Sequence, residues 1–151
     1  MEKTLCVAKT LYDMYYSQFN KSMDEMKMHK LMYFAQRESL MYNHDLLFED
    51  DFYGWKFGPV LKCVRSEYMH APFESTEGSV SSKTKQLLQD VLNRYGSLSS
   101  WKLSSLSHDE LSWKKARQGL DASENGDVKL SLNAMRLDAT RELAARKTAT
   151  V

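Results

Sequence analysis

Three consecutive residues, His108, Asp109 and Glu110, have the side-chain types that perform general acid–base chemistry. A catalytic site also needs a nucleophile or a metal ligand at a matching spacing, and the neighbouring sequence supplies neither. Ser107 stands three residues before Glu110, which is the spacing of a capping box at the start of a helix. We therefore interpret this cluster as a helix start and predict no catalytic residues.

Two other stretches have residue types that bind ions or phosphate groups. The acidic run Glu49, Asp50 and Asp51 lacks the glycine and the later glutamate of a calcium-binding loop. Gly54 and Gly58 are not followed by the Gly-Lys-Ser/Thr ending of a phosphate-binding loop. We expect no metal and no cofactor. An acid–base pocket that combines Lys30, Tyr33 and His108 is the enzymatic alternative.

The cysteines and histidines predict neither a disulfide nor a zinc site. Cys6 and Cys63 both stand among apolar neighbours in helical patterns, which is typical of partly buried, reduced thiols. The four histidines show no ligand spacing with these cysteines.

The size and charge of the chain limit its class. A length of 151 residues fits one domain, so we predict a single domain over residues 1–151, with 146–151 as a frayed tail. The 21 basic and 20 acidic residues give a net charge of +1 without a long basic run, so a nucleic-acid partner is not expected. The polar N-terminus and the absence of a long apolar run predict a cytoplasmic protein without a membrane partner.

Apolar periodicity predicts a mainly α fold, a compact helical bundle of about six helices with a small two-stranded β element. The predicted helices cover 3–19, 24–42, 59–68, 84–95 and 132–146, with short helices around Trp101 and from Ser107 through Ala116. Ser22 and Glu25 have capping-box spacing before the second helix. This helix is apolar on more than one side, so we place it at the centre of the bundle.

The stretch GWKFGPV, residues 54–60, predicts a strand, a sharp turn and a helix. Aromatic residues from Phe52 to Phe57 favour an extended segment, and Gly58 permits a tight turn. Pro59 suits the first position of a helix because it has no N–H group. The second strand is expected near 127–131, after the turn at Asn125 and Gly126.

Three ordered blocks of sequence resemble the Panacea antitoxin domain, also called the SocA-like or phage-associated GepA-like family. The blocks are Lys27, Met28, Lys30, Leu31, Met32, Tyr33, Phe34 and Ala35; then Trp55 to Val60; then Leu106, Ser107, His108, Glu110 and Trp113. The similarity spans roughly residues 5 to 145. The sequence departs from the family pattern at Met28, Lys62 and Ser112.

The resemblance implies an antitoxin that neutralises a protein toxin encoded next to it, with no enzymatic activity. Two alternatives stay open: an adaptor that presents the toxin to a protease complex, and a phage-associated DNA-binding regulator. The sequence leaves the oligomeric state open.

We assign the candidate site residues to two groups. Partner binding is predicted for Tyr53, Trp55, Lys56 and His108, with Tyr53 and Lys56 directed outward. A structural role is predicted for Lys30, Tyr33, Gly58, Pro59, Glu110 and Trp113. Tyr33 and Trp113 are expected to be largely buried, because they lie in aromatic-rich amphipathic segments.

Overall fold

The computed structural model describes residues 1–149. As predicted, these residues are mainly helical with one small two-stranded sheet. In chain order the elements are α1 (Thr4–Phe19), α2 (Glu25–Tyr42), β1 (Phe52–Trp55), β2 (Gly58–Leu61), α3 (Lys62–Tyr68), α4 (Ser82–Tyr95), α5 (Ser100–His108), α6 (Leu111–Ala116) and α7 (Leu132–Ala149).

Helix α2 is the centre of the molecule, as its sequence predicts. Every residue from Lys27 to Met41 is buried, because α1, α3, α4, α5, α7 and β2 all pack around it. The predicted capping box with Ser22 is wrong. Asp24 is the N-cap, and its side chain accepts a hydrogen bond of 2.8 Å from the backbone N–H of Lys27.

The sheet is an antiparallel hairpin, in which β1 pairs with β2 so that Tyr53 lies opposite Val60 and Gly54 opposite Pro59. The prediction of a helix from Pro59 is therefore wrong: Pro59 belongs to β2, and α3 begins at Lys62. A proline is tolerated there because a strand at the edge of a sheet does not need every N–H group.

The stretch predicted as the second strand lies beside β1 without forming a regular strand. Lys129 makes an isolated bridge with Tyr53. Backbone hydrogen bonds of 2.9 Å join Gly54 N to Val128 O and Leu130 N to Phe52 O. Residues 127–131 therefore contact β1, but the strand that pairs with β1 in the sheet is β2.

Gly58 starts β2 in a conformation that only glycine adopts without strain, with a φ of 125°. A Cβ atom at this position would lie 2.6 Å from Ser107 Oγ and 2.7 Å from Lys30 Cε. The turn therefore packs directly on side chains of α5 and α2.

The helix start predicted at Ser107 is also wrong. Ser107 and His108 end α5, and α6 begins at Leu111. The cap of α6 comes from α7: the Asp138 carboxylate accepts hydrogen bonds from Leu111 N at 2.7 Å and Ser112 N at 2.9 Å.

Helix α7 extends to Ala149, so residues 146–149 of the predicted frayed tail are helical. Arg146 forms ion pairs with Glu38 of α2 and with Glu142. The rest of the predicted tail lies outside the described residues. In the described part of the chain, no helix is both long and apolar enough to cross a membrane.

We predict that Gly58→Ala lowers the free energy of unfolding by about 3 kcal/mol or more, because it adds steric overlap to backbone strain. Gly119→Ala is the matched control. Gly119 also has a positive φ, 82°, but nothing lies within 4 Å of the added Cβ, so we expect a loss of about 1 kcal/mol. Urea denaturation of both variants measures the difference, and equal losses would contradict the close packing on Lys30.

Candidate functional site

The three sequence blocks meet around the turn of the hairpin. Ser104 Oγ of α5 donates a 2.6 Å hydrogen bond to the carbonyl oxygen of Phe57. The indole N–H of Trp113 in α6 donates to the carbonyl oxygen of Trp55 at 2.8 Å. Helices α5 and α6 thus fix the hairpin against α2, which carries Lys30.

Tyr53 and Trp55 lie on the face of β1 that points away from the core, and both are half-buried. Phe52 and Gly54 alternate with them and are buried. Cations cover the outward rings: Lys62 Nζ lies 3.9 Å from the ring centroid of Tyr53, and the Arg65 guanidinium lies 5.2 Å from that of Trp55.

A cleft of about 410 Å³ opens between the hairpin, α2 and α5. We call it the hairpin cleft. Its lining includes Lys30, Trp55, Lys56, Phe57 and Trp101. Trp101, 66% exposed, is a site residue that sequence reasoning missed, because helical periodicity marks it as one more apolar position of α5.

Lys30, predicted to be structural, lines this cleft although only 1% of the residue is exposed. Within residues 1–149 its ammonium group has neither a hydrogen-bond partner nor an ion pair. Burial lowers the pKa of Lys30 to about 8, against the opposing effect of Glu25 and Asp24. His29 and His108 are the other titratable groups that interact with it.

Glu25 exerts the stronger of the two attractive charge effects on Lys30, and one oxygen of its carboxylate is already engaged. His29 Nδ1 accepts a hydrogen bond from Leu61 N at 3.2 Å, so the proton is on Nε2, which donates to Glu25 at 2.9 Å. Arg65 pairs with the same Glu25 oxygen at 3.0 Å. The hydrogen bond from His29 lowers the pKa of Glu25, whereas burial lowers the pKa of His29.

Trp55 carries a second unsatisfied donor in the cleft. Its indole N–H is buried and has no hydrogen-bond partner among the described residues. Buried donors without partners are rare in folded proteins and costly. Lys30 and Trp55 both line the hairpin cleft, whereas Arg37, whose Nε is another buried donor without a partner in the described chain, lies outside this lining.

His108 does not line the cleft. Its ring stacks on that of Trp113 with centroids 4.1 Å apart and an interplanar angle of 8°. Trp113 is half-buried. Burial lowers the pKa of His108, with Lys30 contributing in the same direction. The His108 ring thus packs against the Trp113 indole, whose N–H group donates to the hairpin at the carbonyl oxygen of Trp55.

Tyr33 is fully buried, as predicted, and lies in a separate polar network. Its hydroxyl group contacts Glu110 at 3.2 Å, Ser112 at 3.1 Å and Asp138 at 3.3 Å. Arg37 pairs with the other oxygen of Glu110. Burial raises the pKa of Glu110, and the Arg37 guanidinium opposes that rise. Glu110 is thus an ion-pair partner of Arg37 rather than a capping-box residue.

The enzymatic alternative needs Lys30, Tyr33 and His108 in one pocket, and of these three only Lys30 lines the hairpin cleft. Among residues 1–149, no group of three or more His, Cys, Asp or Glu side chains could hold a metal ion.

These features define a helical protein with a surface cleft beside a β-hairpin. Residues 28–114, more than half of the chain, match the family described as antitoxin SocA-like, Panacea domain. The chain belongs to this family, which confirms the resemblance and supports an antitoxin role. No curated protein and no solved structure matches it.

We predict that Lys30→Met stabilises the protein by up to about 3 kcal/mol at neutral pH, because it removes a buried unpaired ammonium but keeps the apolar stem. The unfolded-state pKa is near 10.5 and the folded-state pKa about 8, so the cost is fully present below about pH 8 and fades as the pH rises towards 10.5. Denaturation at neutral pH and at about pH 9.5 measures the shrinking gain. Lys102→Met, at an exposed position of α5, is the control, and a destabilised Lys30→Met would contradict the prediction.

Asp138→Ala is expected to lower the free energy of unfolding by about 2 kcal/mol or more, because two N–H groups at the start of α6, that of Ser112 fully buried, lose their acceptor. Asp109→Ala removes a neighbouring exposed carboxylate and should change stability by less than about 0.5 kcal/mol. Thermal denaturation of both variants checks this, and equal effects would show that α6 does not depend on the cap from α7.

Proposed function

We propose that the protein neutralises a cognate toxin, encoded next to it, by direct protein–protein binding. The contact surface is the hairpin surface, which consists of Tyr53, Trp55, Lys56, Phe57 and Trp101. The family supplies the antitoxin class. The direct mechanism and the contact surface are our inference from the side chains that the fold exposes.

One observation carries the proposal: two large aromatic side chains are exposed side by side. Trp101 is 66% exposed and Phe57 46% exposed, and their rings meet edge to face with centroids 5.5 Å apart. Tryptophan is among the residues that contribute most to binding at the centres of protein interfaces. Neighbouring exposed aromatic side chains are typical of such a surface.

The charges around this surface suggest the character of the partner. Lys56 Nζ lies 5.3 Å from the ring centroid of Phe57, and Lys62 and Arg65 lie over Tyr53 and Trp55. An aromatic surface with cations around it complements a toxin face with apolar side chains and nearby carboxylates.

Trp101→Ala is expected to weaken the toxin complex by about thirtyfold or more, because it removes an aromatic anchor. The free energy of unfolding of the Trp101→Ala variant should change little, because the Trp101 side chain is mostly exposed. Tyr16→Ala is the matched control: Tyr16 is 53% exposed but lies on α1, which packs mainly against α2, α3 and α4, so we expect unchanged affinity. Binding titrations against the toxin measure both, and equal affinities would place the interface elsewhere.

Two further variants divide the surface into its aromatic and charged parts. Tyr53→Ala should weaken the complex at all salt concentrations, and Lys56→Ala mainly at low salt, because surface charges are screened.

Co-expression with the neighbouring gene tests the mechanism itself. Suppressed toxicity without a complex between purified proteins would contradict direct binding and favour the protease-adaptor alternative.

A further inference from the structure

The buried polar residues of α2 have partners, with one exception in the described chain. Lys27 donates to the carbonyl oxygen of Gly96 at 3.0 Å, and Gln36 donates to that of Phe48 at 2.9 Å. Arg37 and Glu38 form ion pairs with Glu110 and Arg146. Lys30 has no such partner, although a buried charge is tolerated only when it is paired.

The hairpin cleft is the route by which a partner reaches Lys30. The residue is 1% exposed and lines this cleft, and the main chain at Gly58 covers it from the hairpin side. The nearby carboxylate of Glu25 is engaged by His29 and Arg65. Both partners occupy one oxygen of Glu25, and no carboxylate among residues 1–149 forms an ion pair with Lys30, so a carboxylate of another molecule would supply a counter-ion that the free protein does not place there.

The donors in the cleft match a carboxylate better than a phosphate group. A carboxylate has two oxygens, and two residues of the lining carry donors: the Lys30 ammonium group, which makes no hydrogen bond or ion pair within residues 1–149, and the Trp55 indole N–H, which is buried without a partner there. A phosphate group has more oxygens and is normally held by several basic side chains or a row of backbone N–H groups. Two further basic side chains of the lining are already engaged: Arg65 pairs with Glu25 and lies over the Trp55 ring, and Lys56 lies over the Phe57 ring. The remaining lining includes Met26, Phe57 and Trp101, which suit apolar neighbours of the carboxylate.

We propose that the hairpin cleft binds a carboxylate group carried by an apolar segment of the toxin, with Lys30 as its ion-pair partner and the Trp55 indole N–H as its hydrogen-bond donor. This inference rests on the proposed function and adds the chemistry of recognition to it. The carboxylate belongs to an Asp or Glu side chain or to the toxin's C-terminus. Entry of this group supplies the partner that Lys30 lacks in the free protein.

The first experiment tests the cleft without the toxin. Sodium phenylacetate carries a carboxylate beside an aromatic ring, and phenylacetamide is its neutral counterpart. NMR of the protein with ¹⁵N-labelled tryptophan reports the indole N–H of Trp55, and the N–H of Trp113, bonded to the Trp55 carbonyl, is an internal reference. We expect phenylacetate to shift the Trp55 signal with a millimolar dissociation constant, as suits a ligand of about ten non-hydrogen atoms.

Variants assign that response to the two donors. Lys30→Met should abolish the shift, whereas Lys102→Met, at an exposed position of α5, should leave it unchanged. Trp55→Phe keeps a ring but removes the N–H group, so we expect weaker phenylacetate binding, measured by calorimetry. The inference fails if phenylacetamide binds as well as phenylacetate, if neither binds, or if Lys30→Met still responds.

The second experiment identifies the source of the carboxylate. Lys30→Met should weaken the complex with the toxin at least tenfold, Lys30→Arg should weaken it less, and Lys102→Met should have no effect. If Lys30→Met loses phenylacetate binding but keeps its affinity for the toxin, the carboxylate in the cleft does not come from the toxin. That result would favour a free carboxylate ligand.

The two experiments separate this inference from the proposed function. A wild-type protein that binds phenylacetate but forms no toxin complex overturns the direct mechanism, and with it the toxin as source. A toxin complex that depends on Trp101 but not on Lys30 supports direct binding and overturns the carboxylate in the cleft.

Discussion

The fold depends on a central helix that buries charged as well as apolar residues. Burial of a charge is expensive, so each polar side chain of α2 needs a partner on a neighbouring element. Lys27 reaches the carbonyl oxygen of Gly96 after α4, His29 accepts from the N–H of Leu61 in β2, and Glu38 pairs with Arg146 of α7. These contacts join elements distant in sequence at defined points along one helix.

The same requirement places the short elements. Arg37 holds Glu110 just before α6, and Asp138 of α7 provides the cap of that helix. Helix α6 then positions Trp113, which donates to the carbonyl oxygen of Trp55 and fixes the hairpin. A chain of polar contacts therefore runs from α2 to the hairpin surface, so the rigid interior determines where the exposed aromatic side chains lie.

Lys30 departs from this rule, and its position explains the departure. A buried lysine without a partner costs stability in the free protein. Natural proteins keep such costs at functional sites, where a ligand or partner removes them. The proposed carboxylate would pair with Lys30 in the complex, so a buried side chain without a partner in the free protein would gain one in the bound state.

The sequence by itself determined the mainly helical class, the central position of α2 and the family, because helical periodicity and motif blocks are local patterns. Only the tertiary structure decided the strand partner of β1, the place of Pro59 in β2 and the cap of α6. These features depend on groups far apart in the chain, such as Asp138 and Leu111. Sequence reasoning also could not see that Trp101 is exposed or that Lys30 lacks a partner, because exposure and pairing are set by what packs around a side chain. The type and spacing of a residue predict whether its side chain will be buried or exposed. The side chains and backbone that pack around it in the folded protein determine whether it is.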